Sequence, residues 1–99
     1  MTDVLLRAIA SRWVSGDFPG WIEVVVEDAE GRAHRIIEKV SVLVSYELDA
    51  DSVFPRELWL RGAMEQVGAG GVTITLGAGV ETVDGLRRLT VQADDVRWL

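Results

Sequence analysis

His34 is the single histidine of the chain, so any imidazole chemistry must use it. A general base needs an orienting group within hydrogen-bond reach. Glu38 shares a strand face with His34 but lies four residues away, roughly 13 Å at the strand rise. One strand therefore cannot join the two. A metal site would need several more ligands from other strands. His34 is expected to be structural or at the surface, and no metal or other cofactor is expected. Glu47, Asp49 and Asp51 alternate as acids do in a calcium loop, but the glycine turn and closing glutamate of such a loop are missing. They read as a solvated loop. Gly68-Ala69-Gly70-Gly71 and Gly77-Ala78-Gly79 would have to open a helix to cradle phosphate. Val72 onward reads as a strand, so these are hairpin glycines. The sequence has no cysteine, which excludes disulfides, thiolate metal sites and thiol nucleophiles. No catalytic set is assigned, and the balance leans away from an enzyme. A carboxylate enzyme using Glu38 or His34 stays open as a low alternative.

Binding is the stronger expectation. Trp13, Trp21, Trp59 and Trp98 are many tryptophans for 99 residues. Each brings a large apolar area and an N–H that wants a partner. Core and barrel-end packing accounts for most of them. One or two, with Phe18, could form an exposed patch, and the loop Phe18-Pro19-Gly20-Trp21 is the best place for it. Glu38-Lys39 sets two charges inside an apolar run. Phe18, Trp21, His34, Glu38 and Lys39 are thus the candidate binding residues.

The elements that would position them are strands. Residues 3–14 fit either a helix or a strand. With no convincing cap to open a helix and the loop 15–20 after them, they are read as a strand. Trp21 to Glu27 is β-branched and partly alternating. Asp28-Ala29-Glu30-Gly31 is a tight turn, and Arg32 to Val44 returns as a second strand. That register sets Val26 opposite His34, Val24 opposite Ile36 and Ile22 opposite Glu38. Residues 47–55 form a surface loop. Glu57 to Val67 and Val72 to Leu76 are strands about the Gly68–Gly71 turn, and Val72, Ile74 and Leu76 share one face. Gly77 to Gly85 is a loop, Arg87 to Ala93 a last strand, and Asp94-Asp95 starts a closing turn. Six short strands with glycine-rich connections predict an all-β domain over residues 1–99, a small antiparallel barrel or sandwich.

The net charge is −6, from 16 acids and 10 bases. An acidic surface repels phosphate backbones, so no nucleic-acid partner is expected. The first ten residues lack the pattern of a signal peptide. The longest uncharged run, Val67 to Val80, is too short and glycine-rich to span a bilayer. With no disulfides either, a cytoplasmic protein with no membrane partner is expected. An exposed edge strand could pair two copies into a homo-oligomer.

The stretches Gly16-Asp17-Phe18-Pro19-Gly20-Trp21-Ile22-Glu23-Val24, Asp28-Ala29-Glu30-Gly31-Arg32-Ala33-His34-Arg35 and Glu38-Lys39-Val40-Ser41-Val42 resemble a group of short uncharacterised bacterial proteins. The likeness extends to Glu81-Thr82-Val83-Asp84-Gly85. It implies a bacterial protein of about this length and no activity. The functional expectation is a non-enzymatic protein-interaction domain, an immunity- or adaptor-like binder of a basic partner. The alternative is a barrel that binds a small molecule or carbohydrate on tryptophan faces.

Overall fold

The computed structural model describes residues 2–14, 20–46, 48 and 52–99. Seven strands form one antiparallel sheet: β1 Thr2–Trp13, β2 Trp21–Glu27, β3 Ala33–Lys39, β4 Arg56–Gly68, β5 Gly71–Leu76, β6 Arg88–Val91 and β7 Val96–Trp98. The order is β3-β2-β1-β4-β5-β6, with β7 on β1. β1 is the organising strand. One of its edges pairs with β4 from Thr2 to Ala10, and β7 (at Val4–Leu6) and β2 (at Ile9–Trp13) divide the other.

Alternation dictates this arrangement. Val4, Leu6, Ala8 and Ala10 of β1 are buried, as are Ile22, Val24 and Val26 of β2, Leu58 and Leu60 of β4, and Val72, Ile74 and Leu76 of β5. A period of two puts each set on one face, and curling the sheet brings those faces together. The result is a half-barrel around a single core. Leu6, Ile36 and Ile74 are fully buried, so truncation of any of them to alanine costs about 2–5 kcal/mol.

The edges of the curled sheet are tied back. Ala29 N–H in the β2–β3 turn donates to Thr90 O of β6 at 2.8 Å, and Val83 N–H donates to Arg35 O of β3 at 2.8 Å. Both edge strands thus find partners for part of their backbone, which limits their exposure as templates. Two glycines permit close approach. A Cβ on Gly62 would lie 2.7 Å from Ile74 Cγ2, and one on Gly71, where φ is +129°, would collide with the Val91 carbonyl.

Residues 3–14 form the expected strand, and the β2–β3 register is the one read from the sequence. One expectation needs correction. The strand read as Arg32 to Val44 stops at Lys39, and Val40–Leu43 is one helical turn, α1. Lys39 is the last residue of β3 to pair with β2, so a longer strand would extend an unpaired backbone. The turn instead donates Val44 N–H to Val40 O at 3.0 Å and buries Val40, Leu43 and Val44 against the core. Among the described residues a short seventh strand joins the six expected. The tail after Ala93–Asp95 becomes β7 because β1 has a free edge at Val4–Leu6.

Candidate functional site

A cleft of about 510 Å³ opens at the end of the half-barrel where β3 passes into α1. Trp13 from the end of β1, Val40 of α1, and Val44 and Leu48 beyond it supply an apolar wall. Lys39, Tyr46 and Arg61 add two cations and a phenol, and Ser41 and Ser45 add hydroxyls. Trp13 stands edge-on to Phe54, with ring centres 5.8 Å apart. A second cavity of about 500 Å³ lies along β1, β4 and β5, and shares Ser45 and Arg61 with the first.

The structure divides the sequence-derived set. Phe18 lies outside the described residues, as do Glu47, Asp49 and Asp51. Trp21 and Lys39 are cross-strand partners at the open end of the β2–β3 hairpin, and Lys39 Nζ stands 5.7 Å from the centre of the Trp21 ring. Trp21 keeps 40% of its surface exposed. Glu38 faces Ile22, and its Oε1 accepts from the Lys39 backbone N–H. His34 sits at the other end of the strand, opposite Val26. Lys39 reaches the cleft and Trp21 stands beside it, whereas neither His34 nor Glu38 lines it.

Reading along one strand missed the partner of His34. Its Nε2 bonds Asp28 Oδ2 at 2.7 Å, and Asp28 Oδ1 accepts the backbone N–H groups of Glu30 and Arg32 at 2.9 Å each. The His34 bond, first, and then the two backbone bonds hold the Asp28 carboxyl below the usual range, against an opposing push from desolvation. The signal lay in the turn itself, because an aspartate opening a tight turn folds its side chain back over the loop. His34 Nδ1 is buried and without a partner. A general base must present its free nitrogen to a substrate, and this one faces the protein interior. The pair pins the hairpin turn.

A further polar cluster depends on a β-bulge. β1 slips register between Ala10 and Arg12, so that Ser11 and Arg12 both meet Glu23. Glu23, on the outer face, is only 7% exposed. Ser11 Oγ donates to it at 2.8 Å, and Arg12 and Arg35 each reach its Oε2 at 3.2 Å. The Ser11 bond is the largest reason its carboxyl is held below the usual range, with the two guanidiniums adding to it. Every oxygen is engaged, which fits a sheet fastener.

The other tryptophans have settled surroundings. Trp59 donates to Glu57 at 2.9 Å, and Arg97 stands over its ring at 3.9 Å. Trp98 in β7 is half exposed. Gly68–Gly71 joins β4 to β5 as the hairpin turn that the sequence predicts. Among the described residues no group of three or more His, Asp or Glu could hold a metal ion, and no helix is long and apolar enough to cross a membrane. Compared with protein families, curated proteins and solved structures, the chain matches none.

Proposed function

We propose that this chain is a non-enzymatic protein-interaction domain and that the cleft beside Trp21 and Lys39 is its recognition surface. The observation that carries the reading is the apolar concavity under Trp13, with Tyr46 and Trp21 left largely exposed at and beside it. Trp, Tyr and Arg are the residues that anchor interfaces most often; Tyr46 and Arg61 line the cleft, and Trp21 is the cross-strand partner of Lys39, which lines it too. The net charge of −6 favours approach by a basic partner at long range, while Lys39 and Arg61 leave the cleft itself to an apolar or acidic group of that partner. An immunity- or adaptor-like domain that masks such a partner is the concrete form. The cytoplasm is its proposed compartment, since its core is built without disulfides.

A second reading, a small-molecule-binding half-barrel, is favoured by the cleft's volume, which falls within the range of about 300–1,000 Å³ usual for ligand sites.

Capture of the tagged protein's partners from its native cells tests the first reading. A stoichiometric partner lost on Tyr46→Ala and on Trp21→Ala, but kept on Arg88→Ala outside the cleft, is the expected result. A partner retained by both cleft variants would move the interface elsewhere.

A further inference from the structure

The bases of this acidic chain are unevenly used. Arg7, Arg12, Arg32, Arg35, Arg87 and Arg88 each pair with a carboxylate at 2.8–3.8 Å. Arg97 stands over Trp59, and Arg56 is exposed at the start of β4. Lys39 and Arg61 have no ion pair among the described residues, and both line the cleft. Acids outnumber bases by 16 to 10, so cations are the scarce charge, and among the described residues two line one mostly apolar hollow with no ion pair. Ligand sites combine an apolar wall with a few polar groups that fix orientation. Lys39 also stands over the Trp21 ring, but neither cation has a carboxylate partner among the described residues, and the pair complements an anion.

We infer that the cleft binds a small apolar carboxylate. Its hydrocarbon or aryl body packs against Trp13, Val44 and Leu48, and Lys39, Arg61 and the Ser45 hydroxyl answer its carboxylate. Arg61 can engage both carboxylate oxygens through its planar fork, and Lys39 acts as a point charge. The inference rests on the cleft being the recognition surface, which both readings of function share.

Titration with octanoate, octanol and octylamine, followed by amide chemical shifts, tests it. Octanoate is expected to saturate, with shifts at Val44, Leu48 and the Trp13 indole. It should bind at least tenfold more tightly than octanol, with octylamine weakest. In the double variant Lys39→Met, Arg61→Met, octanoate should fall to the affinity of octanol while octanol itself is unchanged, a control that the cleft is still folded. Octanol binding as tightly as octanoate, or a preference that survives the double variant, overturns the anion and leaves the cleft standing. Silence from all three probes overturns the inference and counts against the cleft as well.

Discussion

The β2–β3 hairpin carries polar groups at both ends and treats them in opposite ways. At the turn, Asp28 gathers His34 and two backbone N–H groups, all supplied within the loop and the first residues of β3. At the open end, Lys39 faces the Trp21 ring across the sheet, and no carboxylate among the described residues answers it. The turn uses its carboxylate to hold its own backbone and His34. The open end sets the Trp21 ring and the Lys39 cation, which has no ion pair among the described residues, beside an apolar hollow. A histidine–aspartate pair looks like chemistry, yet here it stabilises a loop. The proposed recognition surface is the cleft lined by Lys39 and Arg61, which have no ion pair among the described residues.

If that contrast holds, substitutions at the two ends should separate stability from binding. Asp28→Ala should have the largest effect, a loss of about 2–4 kcal/mol, because it strands His34 and uncaps two backbone N–H groups. Urea unfolding reads the loss as a lower midpoint. Partner capture under native conditions should not change. Weaker capture by a folded Asp28→Ala protein would show that the two ends are coupled and break the comparison.

Glu23→Ala comes next, at about 1–2 kcal/mol, since it leaves Ser11 without its carboxylate acceptor and Arg12 and Arg35 facing each other. Thermal unfolding checks it, again with capture unchanged.

Acid should act on the same two carboxyls. Both sit below their ordinary values, 4.5 for Glu23 and 3.8 for Asp28. Between folded and unfolded values the unfolded chain binds more protons, so stability is full above about pH 4.5 and falls as pH drops through the folded values. Asp28→Ala should remove part of that slope. An unfolding free energy as steep in the variant as in the parent would mean that other carboxyls drive the acid loss.

Much of the fold was legible because period-two burial is a strong signal. Val72, Ile74 and Leu76 announced β5, and the Asp28–Gly31 turn fixed the register that pairs Val26 with His34. What failed was local ambiguity settled by tertiary packing. Val40-Ser41-Val42-Leu43 alternates well enough to pass for strand. It coils because β2 offers β3 no partner beyond Trp21, and because Val40 and Leu43, three apart, then face the core together. In the candidate site, Trp21 and Lys39 were each singled out from the sequence, and the structure makes them a cross-strand pair. Tyr46 and Arg61 were not, because they reach the cleft from segments distant in sequence, and no spacing rule links them to Lys39. The Ser11 bulge was invisible for a similar reason, since a slip in β1 is defined only against β2.

The smallest stability effect should come with one of the largest losses of binding. Lys39→Met keeps an unbranched side chain opposite Trp21 and removes the ammonium that stands over its ring. Lys39 is exposed and has no ion partner among the described residues, so the change in unfolding free energy should stay within about 0.5 kcal/mol. Octanoate binding should nevertheless drop severalfold, and capture of a partner that places an anion in the cleft should weaken with it. Lys39→Arg separates charge from shape, because it restores the cation on a different head group. Recovery by arginine with loss in methionine assigns the effect to charge. Equal loss in both would make the ammonium's fit over Trp21 the feature that matters, and would move the recognition chemistry from the cation to the aromatic face.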